Sequence, residues 1–279
     1  MKLKYTAAWV GFTAAAMVAV SACGSEGVQK AVDVADKTDA IMAALARATD
    51  RTENLGSAEV RISTATTTGA APITMEGTYS WGGGYAFDVE MDTKAAQMQQ
   101  LQHAPTTRML FVDGAYYYDV DPQPSGPLKG KEWMRIDASA VFGEKGAQAF
   151  NGAGGGSPAA SMKGLKYAKN VEDLGKETVD GRSTTHYRAR LDQAQLGKLK
   201  DAYGDQDTLS GAVTGGASSM TMDVWVGGND LPVRLKQKIG AMTVTMDFEK
   251  FGRTAVVKAP PAAETGDLTK VVKDATGKQ

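Results

Sequence analysis

Few residues of this chain could carry catalysis or bind a metal. It has one cysteine, Cys23, and two histidines, His103 and His186. A hydrolytic triad needs a nucleophile, a base and an acid, and a zinc site needs three or four clustered ligands. Two isolated histidines meet neither need. His186 shares one face of a predicted strand with Arg188, so we expect a cross-strand or solvent-facing structural residue rather than a general base. His103 precedes a proline turn and is expected at the surface.

Other ligand-binding patterns are incomplete. Asp201, Asp205 and Asp207 could bind calcium weakly, but the EF-hand spacing and its terminal glutamate are absent. The stretch 152–157 lacks the dinucleotide fingerprint, and the stretch 126–131 is one residue short of a P-loop. The sequence also has no G-x-S-x-G nucleophile elbow. We therefore expect no enzyme activity, no cofactor and no metal site.

Cys23 has a different chemical setting, because it follows an export signal. Lys2 and Lys4 form a short positive region before an uncharged segment at residues 5–22. This arrangement is typical of a signal peptide. The residues VSAC at 20–23 resemble the bacterial lipobox, in which the thiol is alkylated with diacylglycerol and the chain is cut before the cysteine. Two acyl chains provide stable membrane anchoring. An uncleaved anchor and a secreted protein with an unmodified thiol are the alternatives.

The charge balance and the chain length limit the classes of partner and the number of domains. The 31 Lys and Arg residues nearly balance the 32 Asp and Glu residues, and this balance does not suggest a nucleic-acid partner. The length fits one large β-rich domain or two small ones. We expect a lipoprotein signal peptide at 1–22, a lipidated tether at 23–37, a lipid-binding domain at 38–262 and a disordered polar tail at 263–279.

The hydrophobic periodicity predicts a helix followed by many strands. Apolar residues recur at helical spacing from Thr38 to Asn54. Apolar and polar residues then alternate, which is typical of antiparallel strands with one wet face. The dipeptides Asp113-Gly114 and Asp180-Gly181 predict hairpin turns. The expected strands are 59–68, 73–81, 85–92, two within 108–120, 132–137, 171–179, 184–191, 220–226, 231–239 and 242–248. Further helices are expected at 138–150, 159–170 and 192–203, and Gly/Ser-rich loops at 151–158 and 204–218.

The apolar side of these strands is the candidate site. We expect an α+β fold in which about 11 antiparallel strands form a curved sheet, a half-barrel, around a few helices. Methionine is unbranched and suits apolar ligands of variable shape, although it also fills irregular cores. The methionines expected on this side are Met75, Met91, Met109, Met134, Met220, Met222, Met242 and Met246. The residues expected to line a lipid cavity are Val60, Ile62, Met75, Tyr79, Phe87, Val89, Met91, Phe111, Met222, Val224, Val233, Leu235, Val244 and Met246.

Several segments resemble the LppX/LprG group of actinobacterial lipoproteins. The hairpin at 172–192, EDLGKETVDGRSTTHYRARLD, and the hairpin at 224–240, VWVGGNDLPVRLKQKIG, are similar to hairpins of that group. The segment 115–137, the strand VTMDFEKFG at 244–252 and the APPA stretch at 259–262 fit the same pattern. The resemblance implies a LolA/LolB-like half-barrel. It also implies an apolar cavity for lipids or lipidated glycans, although related half-barrels serve as envelope-stress sensors.

These observations lead to two hypotheses of different classes. In the first, a lipoprotein anchored through Cys23 on the extracytoplasmic face of the cell membrane binds acyl chains of a lipid or lipidated glycan and carries or presents it in the cell envelope. In the second, a sensory or scaffolding lipoprotein with a filled core docks a membrane signalling partner, such as a sigma-factor regulator. The expected partners are therefore a lipid, the membrane and a possible envelope protein.

Overall fold

The computed structural model describes residues 25–67, 71–151, 157–168, 170–196, 217–252 and 254–276. The predicted signal peptide at 1–22, Cys23, the aspartates at 201–207 and most of both Gly/Ser-rich loops lie outside these residues. The chain divides into two compact units, Met1–Lys37 and Thr38–Gln279. The described part of the first unit, residues 25–37, is helical.

The second unit is built on one curved sheet of twelve strands. Neighbouring strands are antiparallel, except that β12 runs parallel to β6. The spatial order is β12-β6-β5-β4-β3-β2-β1-β11-β10-β9-β8-β7. The strands are β1 Ser57–Thr66, β2 Ile73–Ser80, β3 Ala86–Asp92, β4 Thr106–Val112, β5 Ala115–Asp119, β6 Trp133–Asp137, β7 Val171–Val179, β8 Arg182–Asp192, β9 Ser219–Gly227, β10 Pro232–Ile239, β11 Met242–Phe251 and β12 Thr265–Asp267. The predicted fold class is confirmed, with one strand more than expected.

Four helices accompany the sheet in the described part of the chain, together with a short helical segment at 193–196 within the predicted helix 192–203. They are α1 Ser25–Leu55, α2 Ala138–Asn151, α3 Pro158–Lys163 and α4 Thr269–Thr276. Helix α1 begins 13 residues before the predicted start at Thr38, and no proline or glycine interrupts it after Gly27. The predicted helix at 159–170 is shorter than expected, because α3 ends at Lys163 and continues as a 3₁₀ turn over 164–167.

The sheet has two chemically different faces. We call the face that carries Val60, Phe111 and Met222 the inner face, and the opposite one the outer face. Side chains of the inner face form one buried cluster together with Leu45 of α1 and Met162 of α3. The helices therefore cover the inner face, which removes its apolar surface from water.

Charged side chains pair across strands on the outer face. Arg61 of β1 binds Glu76 of β2 at 2.6 Å, and Arg108 of β4 binds Asp88 of β3 at 2.5 Å. All four side chains belong to the polar half of the alternating pattern, and each pair joins two neighbouring strands. The pattern of one apolar and one paired, charged face keeps each strand in register, since a slip of one residue would exchange the faces.

Gly77 allows two strands of the sheet to approach closely. It occupies β2 with a φ of 154°, between Val60 of β1 and Val89 of β3. A Cβ atom at this position would overlap the carbonyl oxygen of Asp88. Glycine is therefore required where β2 approaches β3 this closely.

The tail is ordered as far as Thr276, which corrects the prediction of a disordered polar tail for that part of residues 263–279. Strand β12 pairs with β6, and Arg135 of β6 binds Asp267 at 2.6 Å. The hydroxyl of Thr269 accepts a hydrogen bond from the backbone N–H of Asp137 at 3.0 Å, and α4 then packs against α2. The composition of this tail is polar, so its order comes from these long-range contacts and not from a hydrophobic run.

Candidate functional site

The inner face brings together most of the residues predicted to line a cavity. All but two of the fourteen belong to the buried cluster or pack against it. The members that are buried are Val60, Ile62, Tyr79, Phe87, Val89, Phe111, Met222, Val224 and Leu235, and those that are partly buried are Met75, Val244 and Met246. Alternation along each strand predicted this set, because apolar side chains on one face must share one environment.

Met91 and Val233 are the two exceptions. Met91 is half-buried near the end of β3 opposite Met75, but it is not among the residues of the cluster. Val233 packs with Val179 and Trp225 on the outer side of the sheet. The register of β10 against β9 shifts between Pro232 and Arg234, and this bulge places Val233 away from the inner face. The prediction that Val233 lines the inner cavity is therefore wrong.

Met134, another methionine of the predicted set, belongs to a different cluster. Met134 of β6 packs with Met98, Val120 and Leu128 in a separate buried cluster. This cluster is formed with the segment between β3 and β4 and with the loop before β6. Met98 and Leu128 belong to loops, which strand periodicity does not describe.

An aromatic region occupies the inner face of strands β2 to β5. The rings of Tyr79 and Phe87 stack at 5.2 Å between centroids, and Phe87 stacks on Phe111 at 5.7 Å. The row continues through Tyr116, 4.8 Å from Phe111, to Phe142 of α2 at 6.3 Å. Such pairs add to the stabilisation that burial provides. The row connects helix α2 to the middle of the sheet.

Tyrosine hydroxyls give this aromatic region a polar component. Burial raises the pKa of Tyr79 to about 12, and hydrogen bonding to Tyr85 acts in the opposite direction. Burial likewise raises the pKa of Tyr85 well above its ordinary value. The phenols are therefore neutral at physiological pH and can donate or accept hydrogen bonds inside an apolar region.

An aliphatic region occupies the rest of the inner face. Met220, Met222 and Val224 of β9 pack in the same cluster as Leu235 of β10 and Met246 of β11. Leu45 and Ala48 of α1 lie in that cluster too. The inner face thus offers aliphatic and methionine side chains on one part and aromatic rings on the other.

A cavity of about 520 Å³ lies at one end of the sheet. We call it the rim cavity. The end of α1, the start of β8, the β9–β10 turn and the end of β11 form its walls. The lining residues are Arg51, Leu55, Arg182, Ser183, Gly227, Gly228, Asn229, Leu231, Pro232, Val233, Glu249 and Phe251. Strand alternation predicted Val233 on the inner face, and no sequence pattern indicated the other lining residues, because four segments distant in the chain form this cavity.

His186 is the centre of a polar network on the outer face. Its Nδ1 lies 2.8 Å from Oε1 of Glu177, and its Nε2 lies 2.8 Å from Oδ1 of Asp223. Trp225 donates its indole N–H to the other oxygen of Glu177 at 2.7 Å, and Arg188 binds Asp223 at 2.6 Å. The pKa of the Glu177 carboxyl is lowered, first by the bond from Trp225 and then by that from His186. His186 therefore makes cross-strand contacts, which is one of the two positions expected for it, and is not solvent-facing.

The second histidine lies at the surface, as expected. His103 pairs with Asp121, and its side chain is 83% exposed. Within the described residues, no group of three or more His, Cys, Asp or Glu side chains is arranged to hold a metal ion. In the same part of the chain, no helix combines the length and apolarity that a membrane crossing requires.

Comparisons with known sequences identify relatives in Streptomyces. No family model matches the sequence. A protein named as a lipoprotein in Streptomyces coelicolor is 25% identical over 189 residues, covering 64% of this chain and 58% of the relative. An uncharacterised 31.2 kDa protein of Streptomyces griseus is 27% identical over 169 residues, covering 57% of this chain and 55% of the relative. The matches therefore span little more than half the length of each relative.

The solved structure of the lipoprotein LppX from Mycobacterium tuberculosis shares the architecture described above. It superposes with a TM-score of 0.51 and 16% sequence identity, covering 79% of this chain and 99% of LppX. The chain has the fold of LppX. This confirms the resemblance to LppX-type lipoproteins that the hairpin segments carry. At this identity, the likeness to LppX concerns the fold and not the ligand.

Proposed function

We propose that this chain is a lipoprotein, anchored to the cell membrane through Cys23, that binds the acyl chains of a lipid or lipidated glycan. The observation that carries the proposal is the inner face itself, an apolar surface that extends from the aromatic region on β2 to β5 to the aliphatic region on β8 to β11. The protein would carry or present the bound lipid in the cell envelope.

The LppX fold and the VSAC motif support this proposal. LppX is named a lipoprotein, and so is the matching protein of Streptomyces coelicolor. Residues 20–23 of this chain are of the type that directs lipidation. Anchoring would hold the lipid-binding domain at the membrane surface, where its ligand is present.

Small side chains form part of the contacts between the helices and the inner face. They include Ala48 of α1 and Ala138 and Ala147 of α2. Gly143 interrupts α2 with non-helical dihedral angles, φ 75° and ψ 168°. Separating an alanine side chain from the sheet costs less free energy than separating a larger side chain, because less apolar area becomes exposed to water. An acyl chain would enter between the sheet and these helices as they shift.

The energetics allow release as well as binding. Burial of a 16-carbon chain is worth roughly 10 kcal/mol relative to water, at about 0.8 kcal/mol per methylene. The same chain gains a similar free energy in a bilayer, so transfer between membrane and protein would be nearly balanced. Such a balance suits a carrier.

The proposed role is binding and not catalysis. Both ring nitrogens of His186 face carboxylate oxygens, which leaves neither nitrogen available to act as a base on a substrate. The Tyr79 and Tyr85 hydroxyls lie within the aromatic region and would orient a polar group of the ligand by hydrogen bonding.

Native mass spectrometry tests the proposal. The chain without residues 1–22, with Cys23→Ser, is expressed in a bacterium and measured with its co-purifying lipids. Met246→Arg places a charge on the inner face, and Thr245→Arg, the control, places it at the next position on the outer face. We expect lipid on the parent and on Thr245→Arg, and none on Met246→Arg. Circular dichroism confirms folding of each variant.

Val224→Asp provides a second inner-face variant on another strand. Val224 is 1% exposed, so a carboxylate there would enter the aliphatic region directly. We expect loss of bound lipid without loss of the circular dichroism spectrum of the folded chain. Normal lipid content in both folded inner-face variants would contradict binding at this face.

A sensory or scaffolding role is the second candidate. The observation that favours it is that Leu45, Met162 and Leu165 pack in the same buried cluster as the sheet, so the helices fill space over the inner face. In that case the chain would dock a membrane signalling partner without carrying lipid. A parent protein that is lipid-free in the same measurement would favour this role.

A further inference from the structure

The rim cavity presents two arginine side chains to a space large enough for a small ligand group. Arg51 is exposed on α1 and forms no hydrogen bond or ion pair with any other described residue. Arg182 donates one Nη1 hydrogen bond to the carbonyl of Phe248 at 2.7 Å. A guanidinium has five N–H donors, so Arg182 retains donors for a further partner.

The remaining walls of the rim cavity are mostly apolar. Leu55, Leu231, Val233 and Phe251 line it beside the arginines. Glu249 is the one carboxylate among the lining residues, and it binds Arg61 at 3.3 Å. An excess of positive charge above apolar walls fits an anion that is attached to a hydrocarbon.

The rim cavity adjoins the inner face through two stacked rings. Phe251 lines the cavity, and its ring stacks on that of Phe248 at 5.0 Å and 16° between planes. Phe248 is completely buried in the cluster of the inner face. A ligand with its polar end in the rim cavity would therefore have its apolar end at the edge of the acyl-binding face.

We propose that the rim cavity binds the phosphoryl head group of an anionic lipid, with Arg51 and Arg182 as its hydrogen-bond donors. This inference rests on the proposed function and specifies its ligand class. Guanidinium groups recognise phosphate oxygens with paired N–H donors, and the resulting charge-assisted hydrogen bonds are among the strongest in proteins. Glu249 is paired with Arg61, so Arg51 and Arg182 would be available to bind the phosphoryl oxygens.

Calorimetric titration with three probes tests the inference. The chain with Cys23→Ser is titrated with dihexanoyl phosphatidylglycerol, with uncharged dihexanoylglycerol and with inorganic phosphate, each below the concentration at which it aggregates. We expect the phosphatidylglycerol to bind at least about tenfold more tightly than the uncharged probe, which corresponds to one charge-assisted hydrogen bond. Phosphate would compete with it.

Arg51→Gln and Arg47→Gln form a matched pair of variants. Both residues lie on α1, but Arg47 pairs with Asp230 at 3.4 Å and does not line the cavity. We expect Arg51→Gln to weaken phosphatidylglycerol binding about tenfold and Arg47→Gln to weaken it less than about twofold. Arg182→Lys, which retains the charge without the fork of donors, is expected to weaken binding as well.

The outcomes separate this inference from the proposed function. Equal affinity for the charged and uncharged acyl probes would overturn the head-group site while leaving acyl binding intact. Equal effects of Arg51→Gln and Arg47→Gln would also overturn it. Binding of phosphate alone, lost in Arg51→Gln, would support the anion site with a free anion as its ligand and would contradict acyl binding. Failure of both phosphate and the phosphatidylglycerol to bind would overturn the site.

Discussion

The imidazole of His186 stacks on the indole of Trp225, with ring centroids 4.0 Å apart and planes 19° from parallel. The carboxylate of Glu177 binds both rings, at 2.8 Å and 2.7 Å. These residues belong to β8, β9 and β7 respectively, so the network connects three strands. Because β7 is an edge strand, the network holds the edge of the sheet to its interior.

The Glu177 carboxylate makes the stability of this edge depend on pH. Its folded pKa is lowered below 4.5 by Trp225 and His186, so its contribution is complete above 4.5 and is lost as the pH falls through the folded pKa. Glu177→Gln should therefore lower the melting temperature at neutral pH, and the difference from the parent should shrink in acid. A difference that is constant over the acid range would contradict this assignment.

The two histidines should differ greatly in their effect on stability. His186→Leu removes a side chain that is 5% exposed and leaves Asp223, 8% exposed, with Arg188 alone. We expect a loss of about 3 kcal/mol in the free energy of unfolding, measured with urea. His103→Leu is the control, because that side chain is 83% exposed and should change stability by less than about 0.5 kcal/mol. Similar losses in both variants would show that the network does not stabilise the edge.

The aromatic region should be detectable by alkaline titration. Burial raises the pKa of Tyr79 to about 12, so the stabilisation from its neutral phenol is complete below 10.0 and declines as the pH rises further. Tyr79→Phe should remove one late-titrating phenol from the tyrosinate absorbance and reduce the alkaline loss of stability. A phenol at position 79 that titrates near 10.0 would show that it is exposed to solvent.

Strand periodicity accounts for most of the inner face. Met220, Met222 and Val224 alternate with Thr221, Asp223 and Trp225 along β9, and the structure places the first three in the inner cluster. The prediction failed at Val233 because a bulge depends on the pairing with the neighbouring strand and does not change the alternation of apolar and polar residues in the sequence. It also missed β12, whose three residues are too few for a period. Position 266 of β12 has room only for glycine, because a Cβ atom there would overlap the carbonyl oxygen of Pro127 and the side chain of Leu128.

The rim cavity and the His186 network lay beyond local pattern analysis for a different reason. Arg51 and Arg182 are 131 positions apart in the numbering, and neither has a sequence motif around it. Glu177 and Asp223 meet at His186 only because β7 and β9 both pair with β8. Sites of this kind depend on strand order, which the sequence periodicity of single strands does not determine.

Photochemical labelling with a diazirine-bearing palmitic acid tests acyl binding at the inner face most directly. The bound probe is activated by light, and its adducts are located by peptide sequencing in the mass spectrometer. Strands β9 and β11 contain internal controls, since inner residues alternate with outer ones. We expect adducts on Met222, Val244 and Met246. Adducts confined to Thr221, Thr243 and Thr245, or their complete absence, would contradict acyl binding at the inner face.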